Sequence, residues 1–125
     1  MTGAPALRVL IVEDELLIAL GAEMCLTDAG HAVVGTAMAE DEAVALALRL
    51  CPDVILLDLR LANGGSGRRV AERLLGRIDV AIVFASGNLT PATRYTLAPL
   101  NPRAMISKPY LDSQLLGAVE GAAHG

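Results

Sequence analysis

The chain is poor in aromatic residues, with one Phe, two Tyr and no Trp among 125 residues. Its core must therefore be aliphatic, and Ala, Leu and Val supply most of the 54% hydrophobic content. It has only two cysteines, Cys25 and Cys51, at no metal-ligating spacing. Each falls in a predicted helix, so both are expected as buried free thiols in a reducing compartment. No stretch reaches the roughly 18 consecutive apolar residues that a membrane span needs. Met1-Thr2-Gly3-Ala4-Pro5 has neither the basic nor the apolar region of a secretory signal, so a cytoplasmic location is expected. The net charge of −4 argues against a dedicated nucleic-acid binder. No internal repeat, low-complexity run or linker is visible. The length suits one domain over residues 1–125, with a core from about Leu7 to Val119. The Ala123-His124-Gly125 ending lacks linker character, which favours a complete protein over an excised piece.

Four short apolar runs each end on a polar group. Leu7 to Val12 runs into Glu13-Asp14, and Val54-Ile55-Leu56-Leu57 into Asp58. Val80 to Ala85 runs into Ser86, and Ala104 to Ser107 into Lys108-Pro109, where Lys108 is the only lysine. Such runs, separated by helical stretches, read as parallel strands in βα units. A further strand is expected over Ala32 to Ala37. Leu17, Leu20 and Met24 recur at helical spacing in the first helix, and Gly30 closes it. A second helix runs from Glu40 to Leu50 with Ala43, Ala47 and Leu50 inward, ahead of Pro52. A loop from Leu59 to Ser66 precedes a helix over about Gly67 to Gly76. Thr90-Pro91 gives an N-cap and a first-position proline to a helix that Pro99 and Pro102 keep short. A final strand is expected over Arg103 to Ser107, then a helix from Asp112 through Val119. The pattern is (βα)5, an α/β fold with a doubly wound parallel sheet covered on both faces.

In such sheets ligands bind outside the carboxyl ends of the strands. Glu13, Asp14, Asp58, Ser86 and Lys108 are therefore expected to meet at one edge. Asp58 is the candidate nucleophile, since a carboxylate can accept a phosphoryl group as an aspartyl phosphate. Three carboxylates at close range call for a cation, and Mg²⁺ suits both oxygen ligands and phosphate. Lys108 offers a compact charge for a phosphate oxygen, Ser86 a hydroxyl, and the Gly87 N–H a further donor. Alone, each has an ordinary reading: acids at a helix start, a loop cap, a turn, an exposed charge. Their joint placement at the ends of alternate elements favours the functional one.

Val12-Glu13-Asp14-Glu15, Leu56-Leu57-Asp58, Phe84-Ala85-Ser86-Gly87 and Ser107-Lys108-Pro109 together resemble the receiver domain of bacterial two-component response regulators. The resemblance implies the CheY-like fold with strand order 2-1-3-4-5. It implies phosphoryl transfer from a kinase phosphohistidine to Asp58. It also implies Mg²⁺ held by Asp14, Asp58 and the backbone carbonyl of Arg60, with Glu13 acting through water. It implies a cis bond at Lys108-Pro109, and a hydrolytic path lined by Arg60 and Asn88. Met105 stands where the family often has an aromatic switch residue. Leu61-Ala62 replaces the common Met-Pro, and Asn63-Gly64-Gly65-Ser66-Gly67 is expected to make that loop flexible. The Phe84-to-Gly87 stretch is similar to the Phe-Ala-Thr-Gly-aromatic motif of a subgroup with many single-domain members, although Asn88 departs from it.

The implied function is a phosphorylatable response regulator. Its partners would be a sensor histidine kinase or a histidine phosphotransfer protein, and a downstream protein. It would act by phosphorylation-dependent binding, as a relay intermediate or as a phosphate sink, and not as a turnover enzyme. The alternative is an interaction module that works without phosphorylation. A phosphatase using an aspartyl phosphate would need an acid/base group near Asp58, and none is visible. Gly65-Ser66-Gly67 fails as a dinucleotide fingerprint because Val70 stands at the third glycine position. Ser86 is not in a nucleophile elbow, and His31 and His124 give a hydrolase triad little support. Arg68, Arg69, Arg73 and Arg77 gather on one segment and read as a solvated helix face.

Overall fold

Short aliphatic runs alternate with helices along the chain, and the computed structural model arranges them as one five-stranded parallel sheet. It describes residues 5–123; Met1 to Ala4, His124 and Gly125, with the readings made on them, lie outside the described residues. The strands are β1 (Arg8–Val12), β2 (Ala32–Ala37), β3 (Val54–Asp58), β4 (Ala81–Ser86) and β5 (Ala104–Ser107). The helices are α1 (Leu16–Asp28), α2 (Glu40–Leu50), α3 (Gly67–Leu74), α4 (Pro91–Leu97) and α5 (Asp112–Ala122). The strand order is β2-β1-β3-β4-β5. Among the described residues no helix is long and apolar enough to cross a membrane.

Strand side chains alternate between faces, and the core divides accordingly. Leu10, Val12, Ile55, Leu57, Ile82 and Phe84 pack against Ala43, Val44 and Ala47 of α2, Val70, Ala71 and Leu74 of α3, and Leu97 of α4. Val9, Ile11, Val54, Leu56, Val83 and Ala85 pack against α1 and α5 through Ala19, Ala22, Cys25, Leu26, Leu115, Val119 and Ala122. Each Val, Leu or Phe fully removed from water contributes about 1.5–3 kcal/mol. β3 is buried along its whole length, which fixes Asp58 at the end of the most constrained strand.

Helix α1 forms where the spacing of Leu17, Leu20 and Met24 placed it, but these residues do not face the core. Leu17, Leu20 and Met24 are exposed, and α1 instead buries Ala19, Ala22, Cys25 and Leu26. This helix is apolar nearly all round, so periodicity does not choose its inner face; the small side chains do, by letting it approach the sheet closely. Gly30 closes it with a φ of 94°. Cys25 is buried as expected, but Cys51 is exposed, because it caps α2 in a left-handed conformation with φ 45°. Helix α3 ends at Leu74, short of Gly76, so Arg77 falls in the turn beyond it. Arg69 and Arg73 do not form a merely solvated face: they pair with Glu40 and Asp41 of α2. Thr90 caps α4 by accepting a hydrogen bond from the Thr93 N–H, with Pro91 at the first position. Pro99 lacks an N–H, and there the chain tightens into a 3₁₀ turn, Ala98–Leu100, ended by left-handed Asn101.

Candidate functional site

The sheet register brings the polar strand ends level with one another. Val12 pairs with Leu57, which places Glu13 beside Asp58. Asp58 pairs with Ala85, so Ser86 stands one step further out. Ser86 pairs with Ser107, and the Lys108 N–H donates to the Ser86 carbonyl at 2.9 Å. The bond before Pro109 is cis, as the resemblance implied.

The side chains converge in turn. Carboxylate oxygens of Glu13, Asp14 and Asp58 all lie within 4.8 Å of one another. Lys108 Nζ donates to Asp58 Oδ2 at 3.1 Å and contacts Glu13 Oε1 more closely still. Glu13, Asp58 and Ser86 are buried. Glu13 Oε2 also accepts from the Glu15 N–H, and Asp58 Oδ1 takes a long hydrogen bond from the Arg60 N–H at 3.4 Å. Ser86 Oγ accepts from the Asn88 N–H at 3.1 Å. Over these groups opens a cavity of about 590 Å³ lined by Asp14, Glu15, Ile18, Asp58, Arg60, Ser86, Gly87, Asn88, Lys108 and Pro109. The structure thus brings Asp14, Asp58, Arg60, Ser86 and Lys108 together around this cavity, with buried Glu13 in contact with Lys108.

The charges do not balance. Burial pushes the Glu13 carboxyl up to about 7 from an ordinary 4.5, against the pull of Lys108 and the Glu15 N–H, and Asp58 adds to the rise. Burial tends to lower Lys108, but hydrogen bonds to Glu13 and Asp58 outweigh it and hold the ammonium above its usual range. These two shifts pull opposite ways on one ion pair. The excess of acid decides between them: three carboxyls share one ammonium, so Lys108 stays charged and Glu13 is the group that takes a proton. Burial and the nearby Glu13 charge also push the Tyr110 phenol up to about 12. A hard divalent cation fits this donor set, because oxygen ligands at close range carry a surplus negative charge that it would neutralise.

One residue at the site gave no functional signal in the sequence. A Cβ at Gly67 would lie 2.0 Å from the carbonyl oxygen of Asp58 and 3.1 Å from Leu57 Cγ. Only glycine lets the start of α3 press against the backbone of Asp58. The stretch has three other glycines or small residues nearby, so composition alone does not single it out.

Known proteins are similar to this chain in sequence and fold. Residues 9–120 match the family described as the response regulator receiver domain. The phyllosphere-induced regulator PhyR of Methylorubrum extorquens is 33% identical over 118 residues, covering 94% of this chain and 43% of that protein. The transcriptional regulatory protein PdtaR of Mycobacterium tuberculosis is 31% identical over 116 residues, covering 90% of this chain and 55% of that one. The chain thus spans about half the length of these curated relatives. Among solved structures, the receiver domain of a modulated diguanylate cyclase from Desulfovibrio desulfuricans superposes with a TM-score of 0.86 at 31% identity, covering 95% of this chain and 94% of that one. PhyR from Brucella abortus gives 0.84 at 29% identity, covering 98% of this chain and 49% of that one. With strand ends, acidic cluster and lysine all in the positions the fold demands, the chain belongs to the response regulator receiver domain family.

Proposed function

We propose that Asp58 is a phosphoacceptor, and that this chain signals by carrying a phosphoryl group taken from a phosphohistidine. One observation carries the reading. A buried carboxylate at the end of the central strand lies 3.1 Å from the only lysine and within 4.8 Å of two further acids, at the floor of an open cavity. In the transfer, an Asp58 carboxylate oxygen forms a bond to phosphorus as the phosphorus–nitrogen bond of the donor breaks. The electron pair of that bond returns to the imidazole. Asp14, Asp58 and the Arg60 carbonyl would hold Mg²⁺, with Glu13 behind them, and the ion would supply charge neutralisation for phosphoryl oxygens.

The remaining work falls to the chain itself. Lys108 moves its contact from Asp58 Oδ2 to a phosphoryl oxygen, which keeps a charge-assisted hydrogen bond throughout. The Ser86 hydroxyl, already held by the Asn88 N–H, turns toward the same group. The donor enters from the open side, past Ile18 and Pro109, where exposed Leu16, Leu17 and Leu20 offer apolar contact. On this reading the chain carries a signal and does not turn over a substrate. The downstream partner reads the phosphorylated state.

The test is incubation with a small phosphodonor, with and without Mg²⁺, followed by intact mass. The reading requires a gain of one phosphoryl group that depends on Mg²⁺ and vanishes in Asp58→Asn. A wild-type chain that stays unmodified at high donor concentration would support the module that acts without phosphorylation.

A further inference from the structure

The loop from Leu59 to Ser66 was expected to be flexible, yet it is fastened at three places. Its ends are joined, since the Gly67 N–H donates to the Leu59 carbonyl at 3.0 Å. Its middle is tied to the β2–α2 turn, where the Ala62 N–H donates to the Met38 carbonyl at 2.9 Å. The third fastening is a side chain from outside the loop. Glu40 Oε1 accepts from the Ser66 N–H at 3.2 Å and from Arg69 Nε at 2.9 Å, while Oε2 accepts from Arg73 Nη1 at 3.2 Å. Arg69 then reaches back to the Gly64 carbonyl at 2.9 Å, which closes a ring of contacts around the glycines. The Glu40 side chain is only 17% exposed, and those hydrogen bonds hold its carboxyl below the usual range. Gly65 packs close to it: a Cβ there would lie 3.2 Å from Glu40 Cβ.

We propose that Glu40 is a positioning residue for the phosphoacceptor site, acting through this loop. The inference rests on the function proposed above. The loop carries Arg60, whose N–H already touches Asp58 and whose carbonyl is the neutral metal ligand of that reading. It ends at Gly67, which abuts the Asp58 backbone. Gly64 and Gly65 leave the segment's backbone intrinsically permissive, so the geometry at Arg60 depends on an external anchor. Glu40 supplies that anchor from α2, an element that contributes nothing to the cavity itself. Groups that orient metal ligands commonly matter nearly as much as the ligands.

The experiment compares wild type, Glu40→Ala, Glu40→Gln and Arg69→Ala in two assays. Amide exchange without metal reads the loop, and titration calorimetry with MgCl₂ reads the site. Glu40→Ala should speed exchange across residues 61 to 66 and weaken Mg²⁺ binding by about 10-fold. Glu40→Gln keeps an acceptor for the Ser66 N–H and should recover part of both losses. Arg69→Ala, at an exposed position that does not threaten folding, should shift both readouts in the same direction. A purely structural role for Glu40 would lower the melting temperature and leave Mg²⁺ affinity unchanged, and that result overturns the proposal. Unchanged exchange across the loop in Glu40→Ala also overturns it. If wild type binds no Mg²⁺ and accepts no phosphoryl group, the functional reading is what fails. If wild type does both and the variants match it, only the role of Glu40 falls.

Discussion

Replacing Asp58 with asparagine in metal-free buffer removes one charge from a cluster of three, and the effect on stability should depend on pH. The relevant oxygens lie within 4.8 Å of one another. At an effective dielectric constant near 20, two unit charges at that separation repel by about 3.5 kcal/mol. Facing Glu13 and Asp14 together, the Asp58 charge thus carries about 7 kcal/mol of repulsion. Against this, Lys108 Nζ is 3.1 Å from Asp58 Oδ2, an attraction of about 5 kcal/mol on the same scale. With Glu13 ionised, losing the Asp58 charge therefore stabilises the fold by about 1–2 kcal/mol. With Glu13 protonated, half of the repulsion is already gone and the lost Lys108 contact dominates. The variant is then less stable than wild type by up to about 2 kcal/mol. Glu13 changes state near pH 7. Thermal unfolding in chelator should show Asp58→Asn melting roughly 5 °C above wild type near pH 8.5. The gain should shrink and reverse as the pH falls to about 5.5. A gain that is the same at both pH values, or that grows toward acid, contradicts the electrostatic account of this pocket.

Three other outcomes are expected. Glu13 has a folded-state pKa raised above its ordinary 4.5 to about 7, so the folded chain holds a proton that the unfolded chain has released. In chelator its contribution to stability is full below pH 4.5 and is lost as the pH climbs to about 7. Mg²⁺ should expel that proton, so calorimetry near pH 6.5 in buffers of different ionisation enthalpy should detect proton release; binding heats independent of the buffer would argue against it. Gly67→Ala should cost about 1–3 kcal/mol in urea unfolding by overpacking against Asp58, and should slow phosphorylation as well; a variant as stable and as reactive as wild type would mean that α3 shifts freely. Helix α4 buries only Leu97, so it is loosely anchored. Amide exchange across residues 87 to 100 should therefore slow when a beryllofluoride mimic and Mg²⁺ engage Ser86; protection confined to other elements would exclude this route of output.

The sheet and the site were legible for one reason. Buried parallel strands read as short aliphatic runs, and in this architecture reactive groups stand at their carboxyl ends, so Glu13, Asp14, Asp58, Ser86 and Lys108 could be found by where the runs stop. Met105 lies half-buried on β5 opposite Phe84, where it places a flexible thioether. Other features depend on contacts that spacing does not encode. The inner face of α1 is set by the small size of Ala19 and Ala22, which a pattern of apolar residues hides. The anchoring of the loop by Glu40 joins residues 26 positions apart or more in the chain. Cys51 looked helical but sits one position past the last helical residue, where its left-handed backbone turns the thiol outward. The need for glycine at position 67 comes from a backbone oxygen 2.0 Å from where a side chain would begin.

The central claim is that Asp58 receives the phosphoryl group, and direct mapping of the acyl phosphate tests it. The chain is treated with a small phosphodonor and Mg²⁺, reduced with borohydride to convert an aspartyl phosphate to homoserine, and digested for peptide mass mapping. Conversion at position 58 alone, absent without Mg²⁺, is the predicted result. Conversion at Asp14 with Asp58 intact, or a phosphoryl group found on Ser86 or His31 instead, would contradict it.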